Sequence, residues 1–208
     1  MRPEDSSAVL TQLDGVAHQL IACASPVRFT LAVSVAEREQ VFRLRYATIV
    51  EEHWAAADNF PDGLEQDAYD DTAVHVVAWD GPVLAASARL VFPHAERRLP
   101  TEQEFDLMIP PVDRVVDIGR AIVAPPYRSG AHTVFAGLLA RGWLEVRARG
   151  LQDLCGIASL ARVERYREFG LTLHVLAPAR PYWGEERVPL FLDGVEFARS
   201  VLGQMRTS

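Results

Sequence analysis

The sequence predicts an α+β domain built around a mixed β-sheet. Hydrophobic residues recur at helical and at strand spacing in alternating segments, two strand-like runs meet at an Asp-Gly turn, and another strand-like run leads into a long helix. The composition is that of an ordinary globular domain, because 49% of the 208 residues are hydrophobic and 24% are charged. A chain of this size buries roughly 70% of the surface that its unfolded state exposes, which provides a core without disulfides or metals. These observations exclude a disordered, collagen-like or low-complexity protein.

The first quarter of the chain predicts a helix, a strand and a second helix. Apolar residues recur at helical spacing up to Cys23, and Ser6-Ser7 offers a side-chain cap for this accessory helix. The run at 27–35 alternates and contains β-branched residues, which indicates a strand. Residues 36–51 return to helical spacing, so we expect a second helix there.

A polar segment and a hairpin follow. Residues 55–71 contain a Pro-Asp-Gly turn signal and six acidic residues, and a loop this long in a compact domain is more often functional than idle. The strand-like runs at 73–79 and 83–92 meet at Asp80-Gly81. This dipeptide between alternating runs is typical of an antiparallel hairpin.

A glycine interrupts the next predicted strand, at 114–123. Gly119 in its middle predicts a bulge or a close approach of another backbone. Gly150 and Gly170 mark the ends of two later helices. The remaining elements are predicted as a helix, a strand, a helix, two strands and a terminal helix, over residues 133–149, 153–158, 160–169, 171–176, 188–192 and 195–208.

Net charge and cysteine content limit the function classes. The formal net charge is −7 and the sequence pI is about 5.4, so the whole molecule is not expected to attract nucleic acid. Cys23 and Cys155 are too few for a disulfide framework, which favours the cytoplasm, and Cys155 is predicted to be a core residue rather than a nucleophile. No apolar stretch reaches the roughly 20 residues of a membrane span, and no signal peptide is visible.

The most informative stretch is a strand that runs through a short glycine-containing loop toward a helix, over residues 117–130. Backbone N–H groups at a helix N-terminus point at a phosphate, Gly130 permits a close approach, and Arg128 adds a charge-assisted hydrogen bond. The residues alone leave two interpretations open, an anion cradle and an ordinary Arg-Ser-Gly turn.

Residues 123–128 read Val-x-Pro-x-Tyr-Arg, and a long helix, a strand and a helix ending in Tyr166-x-x-x-Gly-apolar follow. This order resembles the GNAT acyltransferase superfamily over about residues 27–195. The resemblance implies a GNAT fold, with a mixed, mostly antiparallel central sheet flanked by helices on both faces. It also implies that Tyr166 protonates a leaving thiolate, and that residues in and around the loop bind the phosphopantetheine or pyrophosphate of an acyl thioester: Arg120, Val123, Arg128, Ser129, Gly130, Ala131, His132 and Thr133.

The loop departs from the usual GNAT pattern. Gly130 falls two residues after Arg128 rather than three, and Ala131-His132 replaces a second glycine. This departure argues against tight binding of coenzyme A by the loop.

Five spaced elements narrow the resemblance: Val41-Phe42-Arg43-Leu44-Arg45, Trp54, Asp67-Ala68-Tyr69-Asp70, Ser87-Ala88-Arg89-Leu90 and Asp117-x-x-Arg120. The series is similar to the acyl-homoserine-lactone (autoinducer) synthases and the related long-chain N-acyl amino acid synthases. It implies that four residues form an ion-pair cluster on the amine-substrate side: Arg45, Asp67, Asp70 and Arg89. Trp54 is expected to bind the substrate together with this cluster. The resemblance also implies that Asp117 is the base and that Arg120 helps to place the acyl-carrier arm.

Several features separate the chain from the autoinducer branch. Asp117 stands where that branch has glutamate, Ile49 replaces an aromatic residue, and Trp54 is displaced by one residue. A carboxylate that is one methylene shorter acts more easily through a water molecule than directly. Residues 177–187 are more similar to the N-acyl amino acid synthases, which favours an amino acid or amine acceptor over a lactone-forming one.

The sequence therefore predicts a single acyltransferase domain over residues 1–208, with an accessory helix at 1–24, a core at 27–195 and a C-terminal helix at 195–208. The expected reaction transfers a medium or long fatty acyl group from acyl carrier protein, or from acyl-CoA, to the amine of an amino-acid-like acceptor. Aminolysis of a thioester needs a base and oxyanion donors but no covalent nucleophile, permanently bound cofactor or metal. Two alternatives stay open: an acetyl-CoA-dependent acetyltransferase of a small amine, and a catalytically silent acyl-thioester-binding module.

Residues outside these motifs have simpler interpretations. His75 is predicted to be a hydrogen-bonded structural histidine, with a place in the acyl pocket as the alternative. The acids at 67, 70 and 71 lack the spacing of a calcium loop, so we expect them to pair with arginines. A further group of arginines forms either a surface for an acidic carrier protein or a solvated face: Arg97, Arg98, Arg141, Arg147 and Arg149.

Overall fold

The computed structural model describes residues 3–128, 132–168 and 170–207, and these contain six α-helices and eight β-strands. The helices are α1 (Pro3–Cys23), α2 (Val35–Glu51), α3 (Pro100–Phe105), α4 (Thr133–Ala148), α5 (Leu160–Glu168) and α6 (Gly194–Thr207). The strands are β1 (Arg28–Leu31), β2 (Val74–Asp80), β3 (Val83–Val91), β4 (Val115–Val123), β5 (Asp153–Ser159), β6 (His174–Val175), β7 (Arg180–Tyr182) and β8 (Glu185–Leu192). None of the helices in these ranges has the length and apolar character that crossing a membrane requires.

The strands form a mixed sheet in the order β1-β2-β3-β4-β5-β8-β6, and β7 pairs with β8. The β4 and β5 strands are parallel and pair over three residues, from Val115 opposite Asp153 to Asp117 opposite Cys155. The β1–β2, β2–β3, β5–β8, β6–β8 and β7–β8 pairs are antiparallel. The predicted α+β class with a mixed, mostly antiparallel sheet is therefore confirmed.

The chain divides into two compact units that are interleaved in sequence. The first unit comprises Met1–Ala17, Phe92–Asp117 and Trp143–Ser208, and the second comprises His18–Val91 and Ile118–Gly142. The prediction of one acyltransferase domain with an accessory N-terminal helix stays a prediction.

In the second unit, α2 packs on the β2–β3 hairpin. Its start is fixed by a capping box, in which the Ser34 hydroxyl accepts from the Glu37 N–H at 3.2 Å and the Glu37 carboxylate accepts from the Ser34 N–H at 2.9 Å. The hairpin closes through a two-residue loop whose first residue, Gly81, has a φ of 56°, as a primed turn requires. The core between helix and hairpin consists of Ala32, Val41, Phe42, Val77 and Trp79.

In the first unit, α5 packs on β5 and β8. Its core consists of Ala158, Val163, Leu173, Val188 and Leu190. The chain leaves α5 through Gly170 with a φ of 68°, and the N–H of the next residue donates to the carbonyl of Tyr166 at 3.0 Å. This glycine ends the helix as the sequence predicted.

Several element boundaries differ from the prediction. The strand predicted at 27–35 ends at Leu31, because the Glu37 carboxylate also accepts the Val33 N–H, at 2.9 Å, and draws the chain into the cap of α2. The N-terminal helix begins at Pro3, before the serines expected to cap it. The strand predicted at 171–176 is shortened to His174–Val175, which pairs with β8.

Two elements escaped prediction. The six residues of α3 are too few to show a helical period, although Pro100 in its first turn is a helix-start signal. The β7 strand contains Pro181, a residue that argues against strand, and its hairpin with β8 turns at Trp183-Gly184, both with positive φ. Tryptophan at such a turn carries no local sequence signal.

We expect Gly137→Ala in α4 to destabilise the protein by about 1–3 kcal/mol, although alanine ordinarily favours a helix. The added Cβ would overlap the ring of Phe29, whose Cε2 would lie 2.8 Å away. The matched control is Gly142→Ala in the same helix, where the nearest atoms lie 3.9 Å away and no loss is expected. Urea unfolding compares the two, and equal stabilities would contradict the packing of Phe29 against α4.

Candidate active site

The second unit contains a connected group of three arginines and three carboxylates, which we call the ion-pair network. The arginines come from α2, β3 and β4, and the carboxylates come from the segment before β2: Arg45, Arg89, Arg120, Glu65, Asp67 and Asp70. The predicted cluster of Arg45, Asp67, Asp70 and Arg89 is therefore present. Glu65 and Arg120 belong to it as well.

Asp70 is at the centre of the network. Its two oxygens accept from Arg45 at 2.8 and 3.2 Å, and Arg89 donates to Oδ1 at 3.1 Å. The same carboxylate accepts the backbone N–H of Asp67 at 2.8 Å, which holds the preceding turn. Arg45 also donates to Glu65. Each buried charge thus has a partner of opposite sign, as burial requires.

The charges around Asp70 change its proton affinity. Burial alone would raise the pKa of Asp70, but the positive charge and hydrogen bonds of Arg45, the charge of Arg89 and the Asp67 N–H outweigh it. The pKa of Asp70 is therefore lowered from 3.8 to about 2. Its carboxylate is ionised throughout the physiological range.

The network has a buried end and an open end. The side chains of Arg45, Glu65, Asp70 and Arg89 are at most 3% exposed, whereas Asp67 is 33% and Arg120 is 16% exposed. Arg120 lies 3.1 Å from Glu65 and 3.4 Å from Asp67. Asp67 and Arg120 are the members that a ligand can reach.

Arg120 owes its place to a local irregularity in β4. Its φ is 51°, in the left-handed region that a bulky residue rarely adopts. This irregularity directly follows Gly119, where the sequence predicted a bulge or a close backbone approach. Such distortions re-aim a side chain, and here the side chain meets the carboxylates of the network.

His75 is buried, as expected for a structural histidine, with 1% of its surface exposed. Its Nε2 lies 3.8 Å from Asp70 Oδ1, and the Asp70 backbone is its nearest hydrogen-bonding group. Burial lowers the pKa of His75, which leaves it neutral with its ring edge-on against Phe42.

Asp117 lies in the first unit, at the point where β4 pairs with β5. It is 3% exposed, and its Oδ2 accepts the N–H of Thr101 from the first turn of α3 at 2.8 Å. The thiol of Cys155 lies 3.6 Å from the same oxygen and donates to it. Burial, followed by the charge of Asp117, raises the pKa of Cys155 well above its usual value. Cys155 is thus a protonated core residue, as predicted.

The residues of the predicted donor loop are only partly described. Ser129, Gly130 and Ala131 lie outside the described residues. His132 and Thr133 are exposed at the start of α4, and the His132 carbonyl accepts from the N–H of Ala136 at 2.9 Å.

Arg128 is held from three sides. Its Nε donates to the carbonyl of Val123 at 2.8 Å, and its terminal nitrogens donate to Glu51 at 2.9 Å and Glu52 at 3.0 Å. The predicted phosphate contact of Arg128 and Val123 stays a prediction, and the acidic partners are residues that sequence reasoning missed.

Tyr166 and Trp54 are the two remaining residues that the sequence predicted for the site. Tyr166 lies on α5 in the first unit, partly buried against the core around Val163. Trp54 is half-buried just after α2, and its N–H donates to the Ile49 carbonyl at 3.0 Å. Their roles in catalysis and substrate binding stay predictions.

Sequence reasoning missed Glu65 and Thr101. Glu65 was one of six acids in a polar segment, and only its position two residues before Asp67 marked it. Thr101 contacts Asp117 through its backbone, so its side chain carried no signal. No group of three or more His, Cys, Asp or Glu side chains suited to a metal occurs in the described ranges.

The arginines considered for a carrier protein have local partners. Arg98 pairs with Asp106 at 3.0 Å. Arg149 stacks on Phe92, with 4.0 Å between guanidinium carbon and ring centre. Arg147 lies 3.4 Å from Asp14. A role for this group in docking stays a prediction.

We expect Arg45→Met to destabilise the protein by about 3–5 kcal/mol, because it leaves the buried carboxylates of Glu65 and Asp70 without their main partner. The control is Arg43→Met, two residues away on α2, which removes only an exposed pair with Glu39 and costs less than about 0.5 kcal/mol. Denaturant titrations measure both. Similar losses of unfolding free energy in the two variants would contradict the role of Arg45 as the main partner of the buried carboxylates.

The lowered pKa of Asp70 predicts that the free energy of unfolding falls in acid. Because its pKa is about 2 in the folded protein and 3.8 normally, its contribution is complete above about pH 4 and disappears as the pH falls toward 2. The difference amounts to about 2 kcal/mol. Asp70→Asn should flatten the dependence of unfolding free energy on pH in this window, and Asp62→Asn, at an exposed acid of the same segment, should not. Equal slopes in wild type and Asp70→Asn would refute this.

Comparisons with known proteins bear on the fold and the chemistry. The profile of an acetyltransferase (GNAT) domain matches residues 44–137. No curated protein sequence matches the chain.

Solved structures match over most of the chain. The CoA-dependent acyl-homoserine lactone synthase MesI is 28% identical with a TM-score of 0.62, over 85% of this chain and 95% of that one. The CoA-dependent acyl-homoserine lactone synthase BjaI, with SAM and isopentyl-CoA, is 23% identical with a TM-score of 0.62, over 80% and 82%. FeeM, an N-acyl amino acid synthase from uncultured soil microbes, is 13% identical with a TM-score of 0.68, over 86% and 98%. The chain is an acyltransferase with the GNAT fold, similar in structure to acyl-homoserine lactone synthases and to an N-acyl amino acid synthase.

Proposed function

We propose that the chain is an N-acyltransferase that moves a medium or long fatty acyl group to the amine of a small amino-acid-like acceptor. The donor is the phosphopantetheine thioester of an acyl carrier protein or an acyl-CoA. The amine nitrogen attacks the thioester carbonyl, the carbon–sulfur bond breaks, and an amide and a free thiol result. The amine loses one proton and the thiolate gains one. The observation that carries this proposal is the ion-pair network.

The open end of the network suits an amino acid. Asp67 presents a carboxylate for an amine, and Arg120 beside it presents a guanidinium for a carboxylate. Three arginines and three carboxylates leave the network without net charge, which matches a zwitterion. The buried pairs beneath hold both groups in fixed positions. We therefore assign Arg120 to the acceptor rather than to the acyl-carrier arm that the sequence suggested.

Proteins of similar structure support the two substrate classes. BjaI and MesI are CoA-dependent acyl-homoserine lactone synthases, BjaI was solved with isopentyl-CoA, and FeeM is an N-acyl amino acid synthase. Each of these proteins is named for joining an acyl group to homoserine lactone or to an amino acid, and the isopentyl group of the BjaI complex is longer than acetyl. We expect no permanently bound cofactor, and the cytoplasmic location stays a prediction.

Asp117 and Tyr166 are the proposed proton carriers. The backbone N–H of Thr101 and the thiol of Cys155 orient the Asp117 carboxylate, and a fixed orientation is what a general base needs. Tyr166 on α5 would protonate the departing thiolate. Both roles rest on the motif resemblance, and the geometry around Asp117 is compatible with its part.

An acetyl-CoA-dependent acetyltransferase is the second candidate, because the matching domain profile is that of an acetyltransferase. The donor chain length separates the two candidates. A silent acyl-thioester-binding module would bind a donor saturably and release no thiol.

We expect Asp117→Asn to lower kcat for thiol release by about 10²–10⁴-fold, because it removes the base while the amide oxygen can still accept the Thr101 N–H. Asp113→Asn, at an exposed acid just before β4, is the control with unchanged rate. The assay follows free thiol from acetyl, medium-chain and long-chain thioesters with an amino acid mixture. Mass spectrometry of organic extracts from expressing cells identifies the product.

Each outcome decides between the candidates. An amphiphile found only with wild type establishes acyl chain and acceptor together. A preference for acetyl over longer donors favours the second candidate, and binding without thiol release from any donor favours the silent module. Equal rates of thiol release in Asp117→Asn and wild type would refute the assignment of Asp117 as the base.

A further inference from the structure

The first unit contains a cavity that the proposed reaction does not use. Its volume is about 780 Å³, which falls within the roughly 300–1,000 Å³ of small-molecule sites. It lies between the start of α1, the end of α4, the residue before β5 and the start of α6, which all belong to this unit. Leu10 and Val195 are buried and give it an apolar wall, whereas Ser6, Ser7 and Gln152 line it with hydrogen-bonding groups.

The acids that line the cavity, Asp193 and Glu196, already have partners. Asp193 Oδ1 accepts two N–H groups from the first turn of α6, at 3.0 and 2.9 Å, and Glu196 Oε2 lies 2.9 Å from His174 Nε2. The N–H of Gly194 at the same helix start donates to Asp153 at 2.9 Å. The start of α6 is therefore capped from within the protein, and neither acid requires a cation from outside.

Arg147, in the last turn of α4, has no close partner for its charge among the described residues. Its side chain is 22% exposed, and its Nε lies 3.4 Å from Asp14 Oδ1, an oxygen that already accepts the indole N–H of Trp143 at 2.7 Å. Its Nη1 lies 3.5 Å from the Leu151 carbonyl. Both contacts of Arg147 are longer than the roughly 2.7–3.2 Å of an ordinary N–H···O bond. A largely buried cation is thus left without a short hydrogen bond, whereas buried charges are ordinarily paired.

The surroundings of Arg147 favour an anion. Its guanidinium carbon lies 5.9 Å from the centre of the Trp143 ring, which fixes its position, and Arg199 of α6 lines the same cavity. A ligand cation would therefore meet two positive charges. A carboxylate would instead accept two donors from the planar guanidinium and further hydrogen bonds from the serine hydroxyls or the glutamine amide.

We propose that this cavity binds a small monocarboxylic acid, whose carboxylate pairs with Arg147 and whose hydrocarbon chain packs on Leu10 and Val195. The carboxylate supplies the short hydrogen bonds that Arg147 lacks among the described residues. The apolar wall favours such an acid over inorganic phosphate, which has no hydrocarbon part to bury. The inference goes beyond the proposed function, because the residues that line the cavity differ from those of the ion-pair network and from Asp117.

Calorimetric titration of the full chain with hexanoate tests the proposal, and hexanamide is the matched probe with the same shape and no charge. We expect one hexanoate to bind each chain, at least roughly tenfold more tightly than hexanamide, because a hydrogen bond to a charged group is lost with the amide. Arg147→Met removes the charge and keeps an unbranched side chain beside Trp143. It should weaken hexanoate binding by roughly tenfold or more and bring the two probes to equal affinity.

Arg149→Met is the matched control, because Arg149 lies two residues further along the chain but pairs with Glu145 and stacks on Phe92. It should leave the affinity for hexanoate unchanged. Arg147→Lys replaces Arg147→Met if that variant does not fold. It should still weaken binding by roughly threefold, since lysine cannot bind a carboxylate with two parallel donors.

NMR amide shifts locate the bound probe, and they should change at residues 6–10, 147–152 and 193–199. Arg120→Gln serves as the second comparison, because the open end of the ion-pair network also presents a guanidinium to a carboxylate. Loss of hexanoate binding in Arg120→Gln but not in Arg147→Met would assign the probe to the network and overturn the proposal. Absence of hexanoate binding, equal affinity for hexanamide in wild type, or tighter binding of inorganic phosphate than of hexanoate would overturn it as well.

Discussion

The carboxylate of Asp70, held between Arg45 and Arg89, is the interaction on which the second unit depends. A guanidinium without solvent access is tolerated only when its donors are matched, and Arg45 is matched by carboxylates from a segment that has no regular structure. That segment therefore takes its fold from α2. A hydrophobic side chain at the position of Arg45 would fill the same space but leave the segment without an anchor.

The buried part of the network also positions its open end. The buried pairs fix Asp67 and Arg120, so the acceptor that we propose would meet groups that need no reordering when it binds. The left-handed backbone at Arg120 is part of this arrangement, since a regular strand would direct the guanidinium elsewhere. Local strain in β4 is thus offset by ion pairs with residues that lie far away in sequence.

Charge neutralisation recurs at the acidic end of α2. In the network every acid has an arginine, whereas at the end of α2 one arginine serves two acids, Glu51 and Glu52. In the first unit the Asp117 carboxylate accepts a backbone N–H and a thiol. The chain thus holds its carboxylates in three different environments.

The sequence by itself determined the fold class, the hairpin at Gly81, the glycine that ends α5 and, through a family resemblance, four members of the network. These follow from periodicity, turn chemistry and motif spacing, all of which are local. Only the tertiary structure added Glu65, moved Arg120 to the network and brought Thr101 to Asp117. Those contacts join residues 16 to 55 positions apart, and a side chain's partner across such a separation depends on packing rather than on any local pattern.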